Sequence, residues 1–300
     1  MKHKKLLLLL VILIVSIIVI CLFAFKPKLS TGIAKIGVDD NTIVGKGFVY
    51  KKVRGGYYLL TNYHVIEGTS TIVVKIGNDS YEAERVGLDK YLDLAIIKIK
   101  CNKRLYTFGF GSGNKVKTIS KDSDDFISGE VTEESVYPIE VNANNDYATD
   151  LLKTNIVVEE GYSGSPLLNN VNQVVGIITL KDKDNYAYAT DYKSFKKYLS
   201  VLESGNAIER PSLGITMVDA ANKEILSVYK LKFDTDKGIV VVRSTNDKLK
   251  VGDIIIEFDS NKVDTIAFLR YYLFKNNKND KVKVKIIRNN EEIEEEITLL

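Results

Sequence analysis

The chain has very few histidine and cysteine residues, and this scarcity limits its chemistry. Its 300 residues include two histidines, His3 and His64, and two cysteines, Cys21 and Cys101. Structural zinc sites take about four nitrogen or sulfur ligands, and nothing in the sequence resembles such a set. Cys21 lies inside a long apolar run and Cys101 in the polar remainder, so the two cannot pair within one chain. We therefore expect neither a disulfide framework nor a metal or other cofactor.

The chain also lacks a charge excess outside its first residues. The formal net charge of +3 comes from 42 Lys and Arg against 39 Asp and Glu. Lys2, Lys4 and Lys5 account for the whole difference. Because the remainder is neutral, it has no basic stripe for a phosphate backbone, and we expect no nucleic acid partner.

One long apolar run is present, at residues 6–25, and it contains no charged residue. A helix of that length is about 30 Å long and spans the hydrocarbon core of a bilayer. A cleaved signal peptide is disfavoured, because its apolar part is usually about 7–15 residues long and no small-residue cleavage site follows here. Ile20 also disfavours a lipoprotein signal at Cys21. The lysines in residues 1–5 predict a cytoplasmic N-terminus, with the rest of the chain outside the membrane.

From the apolar run to about residue 179, short apolar stretches alternate with Gly, Asn, Asp and Lys. They lie at residues 48–50, 57–60, 72–76, 94–99 and 174–178. Many short strands with regular turns predict a β-barrel or a β-sandwich, and the period alone does not choose between them.

Residues 191–203 change to a helical period, with Asp191 as the expected N-cap. The residues on the apolar face are Phe195, Tyr198, Leu199 and Leu202. A break at residues 204–206 and the pair Arg210–Pro211 then predict a domain boundary, since the prolyl unit favours extended structure.

The last ninety or so residues predict four strands and one helix. The strands are expected at residues 238–243, 253–258, 281–288 and 292–299, with a hairpin turn at Asn289 and Asn290 between the last two. The helix is expected at residues 265–274, with Ile266, Leu269 and Leu273 on one face and Asp264 as its cap.

Three separated segments contribute a histidine, an aspartate and a serine that together predict a catalytic triad. His64 lies in Leu-Thr-Asn-Tyr-His-Val-Ile, Asp93 in Leu-Asp-Leu-Ala-Ile-Ile, and Ser163 in Gly-Tyr-Ser-Gly-Ser-Pro-Leu. A serine hydroxyl is a poor nucleophile near neutral pH, so it needs an imidazole base and a carboxylate that orients the base. Taken singly, Ser163 fits an ordinary turn and His64 a core or surface position, while Asp89 and Glu84 are alternatives to Asp93.

On these motifs the chain resembles the HtrA (DegP/DegS-like) family of trypsin-fold proteases. The order His64, Asp93, Ser163 is that of the chymotrypsin-like fold, and Gly-Lys-Gly-Phe at residues 45–48 adds a fourth family segment. The resemblance implies a mainly β protein with two six-stranded barrels, a catalytic cleft between them and a PDZ domain after them. The Asp-Leu-Ala-Ile match favours Asp93 over its acidic neighbours.

The resemblance also implies a role for each residue of the site. Ser163 is expected to be the nucleophile, His64 the base and Asp93 its orienting partner, with the backbone N–H groups of Gly161 and Ser163 as the oxyanion hole. Val157, six residues before the nucleophile, is expected at the base of the S1 pocket. An apolar base would favour a small or medium aliphatic P1 residue over Lys or Arg.

The C-terminal segment carries the PDZ resemblance. Ser212, Leu213, Gly214 and Ile215 match the loop that binds a peptide C-terminus, and Lys-Val-Gly-Asp-Ile-Ile follows at residues 250–255. The family's usual insertion before Gly-Asp is shorter here, at residues 244–250. The resemblance also implies a homotrimer.

Three positions depart from the usual family residues, namely Tyr63, Tyr162 and Ser165. None removes a catalytic group. Ser165 lacks the backbone freedom of glycine, which predicts a loop that rests in an inactive shape until a ligand or partner orders it.

The expected organisation is a cytoplasmic tail (1–5), a transmembrane anchor (6–25), a linker (26–35), a protease domain (36–205) and a PDZ domain (206–300). The expected function is cleavage of unfolded or damaged proteins outside the cytoplasmic membrane, as in protein quality control and the stress response. Two alternatives are a catalytically silent adaptor or chaperone and a signalling protease with one dedicated membrane-protein partner.

Overall fold

The computed structural model describes residues 11–16, 27–121, 123–137 and 147–300. Within these ranges no helix has both the length and the apolar character needed to cross a bilayer. Residues 11–16 are helical, but the predicted tail and the rest of the predicted anchor at 6–25 lie outside the described residues. The anchor therefore stays a prediction.

Six antiparallel strands form a first closed barrel. They are β1 (Ile33–Gly37), β2 (Ile43–Val53), β3 (Gly56–Thr61), β4 (Val73–Ile76), β5 (Asp79–Asp89) and β6 (Leu94–Lys100). β1 pairs with both β2 and β4, which closes the barrel in the order β1-β2-β3-β6-β5-β4. Ile33 and Ala34 are buried in it. Residues 33–35, which we assigned to the linker, therefore belong to the barrel.

Strand β6 explains why its sequence is apolar without alternation. Ile97 and Ile99 are buried in the core of the first barrel. Leu94 and Ile96 instead join a second buried cluster, the interbarrel cluster, which also includes Leu168 and residues further along the chain. A strand that is buried on both faces has no polar side. Because β6 contributes to both clusters, apolar packing continues from the core of the first barrel into the interbarrel cluster.

The second barrel also has six antiparallel strands. They are β7 (Lys115–Ile119), β8 (Phe126–Val136), β9 (Leu151–Val157), β10 (Pro166–Asn169), β11 (Val174–Lys181) and β12 (Tyr186–Asp191). Pairing of β10 with β7 closes it in the order β10-β11-β12-β9-β8-β7. The double-barrel architecture that the resemblance implied is thus confirmed.

A helical segment follows the second barrel, as the change of period predicted. It consists of two short α-helices, Tyr192–Phe195 and Leu199–Glu203, joined by a 3₁₀ turn at Lys196–Tyr198. The Asp191 side chain accepts a hydrogen bond from the Lys193 backbone N–H at 2.9 Å and so caps the start. Phe195 and Leu202 are fully buried in the interbarrel cluster.

The C-terminal domain is a six-stranded sheet with two helices. The strands are β13 (Ile215–Asp219), β14 (Ile239–Ser244), β15 (Ile254–Phe258), β16 (Asn261–Lys262), β17 (Lys281–Arg288) and β18 (Glu291–Thr298), and the helices are Lys223–Val228 and Ile266–Leu273. Asn289 and Asn290 both have positive φ, 53° and 70°, as a two-residue hairpin of type I′ requires. Strand β13 lies at one edge of the sheet.

The helix predicted at residues 265–274 is present at Ile266–Leu273, but Asp264 is not its cap. The Thr265 hydroxyl accepts a hydrogen bond from the Phe268 N–H at 3.5 Å, and the Asp219 carboxylate accepts one from the Ile266 N–H at 2.5 Å. The sequence-based assignment was wrong because Asp219 lies far away in the chain and reaches the helix only through the folded sheet.

The C-terminal domain packs on the double barrel through a polar and aromatic junction. Arg210 donates hydrogen bonds to both carboxylate oxygens of Asp89, each at 2.7 Å, and its guanidinium lies 5.0 Å from the ring centres of both Tyr91 and Phe274. Further contacts join Tyr271 to Asp150 and Phe268 to Tyr137.

Candidate active site

His64 lies in the single helical turn Tyr63–Ile66 that follows β3. The residue before this turn, Asn62, is fully buried. Its side-chain amide donates hydrogen bonds to the Asp93 carbonyl at 3.0 Å and to the Thr179 hydroxyl of the second barrel at 3.1 Å. Asn62 therefore ties the histidine turn to both barrels at the cleft.

Asp93 lies in the turn between β5 and β6, and the turn is itself capped. The Asp89 carboxylate accepts a hydrogen bond from the Leu92 N–H at 2.9 Å. Asp93 adopts a left-handed conformation with φ of 48°, which Asp tolerates better than most residues. This backbone turns its carboxylate toward His64.

The Asp93 carboxylate holds both the backbone and the ring of His64. One oxygen accepts a hydrogen bond from the His64 backbone N–H at 2.9 Å, and the other lies 2.7 Å from Nδ1 of the imidazole. The alternatives to Asp93 have other partners, since Asp89 pairs with Arg210 and Glu84 pairs with Lys100 at the surface. The geometry thus favours Asp93 as the orienting residue.

Burial sets the electrostatics of this pair. The Asp93 side chain is inaccessible to solvent, whereas the His64 side chain is 35% exposed. Burial raises the pKa of Asp93, and hydrogen bonds from His64 oppose the shift. A carboxylate buried in this way depends on its donors to stay ionised.

Ser163 lies in the loop between β9 and β10, and this loop contacts strand β2. Its carbonyl accepts a hydrogen bond from the Lys46 N–H at 2.7 Å. A Cβ atom on Gly45 would lie 2.8 Å from the Val65 side chain and 2.9 Å from the Ser163 carbonyl oxygen. Because Val65 follows His64, this close packing brings the serine loop next to the histidine turn.

Gly164 makes this approach possible. It has a φ of 83°, and a Cβ atom there would lie 1.9 Å from the Lys46 carbonyl oxygen and 2.6 Å from the Thr61 hydroxyl. Only glycine fits at this position. Among the described residues no hydrogen bond joins the Ser163 hydroxyl to the His64 imidazole. The serine loop therefore lies beside the histidine turn without this bond.

The two departures in the serine loop have clear structural consequences. The ring of Tyr162 is buried, and its hydroxyl accepts a hydrogen bond from the Lys121 N–H at 3.0 Å, which anchors the loop. Ser165 is fully buried and does not have positive φ. Glycine's backbone freedom is therefore not required there. Gly161, expected in the oxyanion hole, does use that freedom, with a φ of 91°.

A cavity of about 250 Å³ adjoins Ser163. Its apolar wall comes from Val158, Ile178 and Leu180, and it is completed by residues 159–163 and Lys181. Val157 does not line it and is 54% exposed, whereas Val158 is 2% exposed. The expected S1 residue Val157 thus lies outside this cavity, because its side chain at the end of β9 is exposed while that of the next residue, Val158, is buried.

In the C-terminal domain, residues 212–215 form a turn that leads into the edge strand β13. Leu213 is buried, and Gly214 has a φ of 69°. The backbone of Ser212 pairs with that of Leu300 in both directions, at 3.2 and 2.9 Å. These two bonds hold the turn against Leu300. Ile215 is the first residue of the edge strand β13.

Sequence reasoning missed one polar side chain at the site, Tyr147. Its hydroxyl lies 3.3 Å from Nδ1 of His64. No local pattern could have pointed to it, because it belongs to none of the protease motifs and precedes β9 in the other barrel.

Comparisons with known proteins agree with this architecture. A model described as a trypsin-like peptidase domain matches residues 45–177, and a PDZ domain model matches residues 211–299. A protein named serine protease Do-like HtrA from Bacillus subtilis (strain 168) is 29% identical over 292 residues, covering 87% of this chain and 64% of the relative. Its namesake from Lactococcus lactis subsp. lactis (strain IL1403) is 30% identical over 274 residues, covering 81% and 67%. The chain thus spans about two thirds of the length of these relatives.

Solved structures resemble the chain over nearly all of its length. The HtrA-type protease AlgW with a decapeptide has a TM-score of 0.60 at 18% identity, covering 90% of this chain and 95% of that one. A serine endoprotease from Yersinia pestis has a TM-score of 0.57 at 21% identity, covering 90% and 94%. At these identities the likeness shows the fold.

Proposed function

The chain belongs to the HtrA family of serine proteases, and we propose that it is an endopeptidase that works through an acyl-enzyme on Ser163. The observation that carries the proposal is the pairing of a buried Asp93 carboxylate with Nδ1 of a partly exposed His64, beside the Ser163 loop. A buried acid that orients an accessible imidazole is the arrangement that a general base requires.

In the proposed reaction the Ser163 hydroxyl proton passes to Nε2 of His64 while Oγ bonds to the substrate carbonyl carbon. Nε2 is the acceptor because Nδ1 carries its proton toward Asp93. The imidazolium then gives this proton to the leaving amine as the C–N bond breaks. A water molecule, deprotonated by His64, attacks the ester and restores Ser163. The Gly161 and Ser163 N–H groups stabilise the oxyanion, and the steps require no metal or cofactor.

The cavity beside Ser163 supports a preference for a small or medium aliphatic P1 residue. Its buried wall is apolar, and a lysine or arginine side chain placed against that wall would lose hydration without a buried counter-charge, because the two acidic residues of the lining, Glu159 and Glu160, are solvent-exposed. Mass spectrometry of cleavage products should therefore show Val, Ala, Ile or Leu at P1. Predominant Lys or Arg would refute the preference.

For the C-terminal domain we propose recognition of polypeptide C-termini or extended segments. β13 lies at an edge of its sheet, so a peptide can add to it as a further strand. The turn at residues 212–215 stands at the start of that edge. Unfolded or damaged proteins expose such segments, so we propose them as the substrate class.

We also propose anchoring through residues 6–25 with the protease and PDZ domains outside the cytoplasmic membrane. The uncharged run and the lysines before it support this placement. Assembly as a homotrimer is proposed on family membership.

The decisive experiment is labelling of the full chain with a fluorophosphonate probe, since only an activated serine reacts appreciably. Labelling should be lost in Ser163→Ala and retained in Ser128→Ala, a substitution at an exposed site in β8. A wild-type protein that is not labelled would support the silent adaptor instead. Degradation of unfolded casein would then distinguish a general protease from one that cleaves a single dedicated partner.

A further inference from the structure

Tyr147 brings a phenol hydroxyl to the His64–Asp93 pair. The hydroxyl oxygen lies 3.3 Å from Nδ1 of His64. The residue precedes β9 and so belongs to the second barrel, whereas His64 and Asp93 follow strands of the first. Both barrels therefore contribute polar groups to the same carboxylate–imidazole contact.

The Nδ1 atom cannot be the true partner of this hydroxyl. A ring nitrogen carries one proton or one lone pair in its plane, and Nδ1 already uses that position toward Asp93 at 2.7 Å. The carboxylate oxygen that faces Nδ1 is the acceptor left for Tyr147. The electrostatics agree, since a hydrogen bond from Tyr147 works against the burial-induced rise in the pKa of Asp93.

Tyr147 is suited to be a donor at every pH at which the site works. Burial is the largest cause that raises the pKa of Tyr147, and the negative charges of Asp93 and Glu67 raise it further. The phenol thus stays protonated at neutral pH. The charged or titratable groups that act on it are Asp93, Glu67 and His64.

The backbone fixes Tyr147 in register with Asp93. The N–H of the next residue, Ala148, donates a hydrogen bond to the Tyr91 carbonyl at 2.8 Å, two residues before Asp93. Asp150 is held in turn by the Tyr271 hydroxyl at 2.5 Å. The short segment 147–150 therefore connects the orienting acid to the C-terminal domain.

We propose that Tyr147 is a positioning residue of the protease site, whose hydroxyl donates a third hydrogen bond to the Asp93 carboxylate and thereby holds the His64 imidazole in its working orientation. This inference rests on the proposed endopeptidase function. The carboxylate then has three donors, the His64 backbone N–H, the His64 ring and the Tyr147 hydroxyl. Each donor matters because the Asp93 side chain is inaccessible to solvent.

The test compares the full chain with Tyr147→Phe, which removes only the hydroxyl. We expect kcat to fall about tenfold with KM nearly unchanged, the effect expected when a hydrogen bond to a charged group is lost. Without this donor the Asp93 carboxylate would keep more of its negative charge and would stabilise the His64 imidazolium more strongly. The acidic limb of the kcat/KM profile should therefore move to higher pH. Tyr63→Phe is the matched control, since its hydroxyl interacts with Glu67 and not with the pair.

A second measurement reads the hydrogen bond directly. His64 and His3 are the only histidines, so the Nδ1–H proton of His64 can be assigned by nuclear magnetic resonance, and its downfield resonance should shift in Tyr147→Phe. If that variant does not fold, 3-fluorotyrosine at position 147 keeps the ring and provides a stronger donor. It should move the acidic limb to lower pH.

The outcomes separate this inference from the proposed function. A wild-type chain that is not labelled by fluorophosphonate would overturn both. A labelled wild type with kcat and a pH profile unchanged by Tyr147→Phe would overturn the role of Tyr147 alone. A rise in KM at constant kcat would also overturn it, because it would make Tyr147 a substrate-binding residue.

Discussion

At the scale of one residue, Asp93 has features that are unfavourable for folding but useful in the proposed protease site. Its side chain is inaccessible, its backbone is left-handed and its pKa is raised by burial. Burial and the raised pKa disfavour the ionised form, and the left-handed backbone is one that few residues other than glycine adopt. Together with the hydrogen bonds to His64 they produce an acid that can orient an imidazole.

We predict that Asp93→Asn inactivates the protein and stabilises it. Activity should fall about 10⁴-fold, because an amide supports the wrong imidazole tautomer. A carboxyl group whose pKa is raised on folding contributes most to the free energy of unfolding below its ordinary pKa of 3.8. This contribution is lost as the pH rises through the pKa of the folded state. The variant should therefore melt higher than wild type at pH 7, by a margin that shrinks toward pH 3.8. A lower melting temperature at pH 7 would contradict this.

The buried hydroxyl of Ser165 carries a second prediction. It has no hydrogen-bond partner among the described residues, whereas the equally buried Thr118 hydroxyl donates to the Pro166 carbonyl at 3.0 Å. Ser165→Ala should stabilise the protein by about 1 kcal/mol, and Thr118→Val should destabilise it by about 1 kcal/mol. Thermal unfolding of both variants distinguishes them, and equal losses of stability would refute the argument.

At the scale of an element, the helix Ile266–Leu273 depends on residues that are distant in the sequence. Its apolar face was evident, because Leu269 and Leu273 recur at helical spacing and both are buried. Its capping was not, since the acceptor for the Ile266 N–H is the Asp219 carboxylate at the end of β13. The cap also joins the helix to the edge strand.

Asp219→Ala should therefore weaken this helix by about 1 kcal/mol, the usual worth of a capping side chain. Hydrogen exchange of the amides at residues 266–269 should accelerate. Asp264→Ala is the matched control, since the Asp264 carboxylate lies 3.8 Å from the Lys262 ammonium and its backbone hydrogen bond to Gly238 survives the substitution. Faster exchange in Asp264→Ala, with unchanged exchange in Asp219→Ala, would instead support Asp264 as the cap, as the sequence predicted.

At the scale of the whole molecule, Arg210 joins the two halves of the chain. Its side chain and that of Asp89 are 13% and 6% exposed, and Tyr91 and Phe274 flank the guanidinium. Asp89 also caps the turn that contains Asp93. The domain junction and the protease site therefore share one carboxylate.

Arg210→Ala should destabilise the molecule by about 3–5 kcal/mol, because it leaves a buried carboxylate without its cation. Scanning calorimetry should then resolve separate transitions for the two domains. Lys51→Ala, at a more exposed pair with Glu203, should change stability by at most about 1 kcal/mol. A single transition in Arg210→Ala at the wild-type temperature would show that the junction is not held by this pair.

Local patterns were informative wherever one stretch of chain determines its own conformation. The Asn289–Asn290 hairpin, the Asp191 cap and the apolar face of the last helix follow from turn chemistry and periodicity, and the structure contains all three. Val157 lies outside the cavity beside Ser163, which the sequence did not predict because counting residues from Ser163 does not show which way a strand side chain points. A shift of one residue moves a side chain to the other face.

By itself the sequence determined the order of the protease segments, the helical and strand periods and the family to which the chain belongs, because these depend on residue types at short spacings. Only the tertiary structure decided that Tyr147 lies beside His64, that Val158 faces the cavity and that Asp219 caps a distant helix. Those contacts join residues from separate strands, turns and domains. Their partners are chosen by how the barrels and the sheet pack, which no local pattern contains.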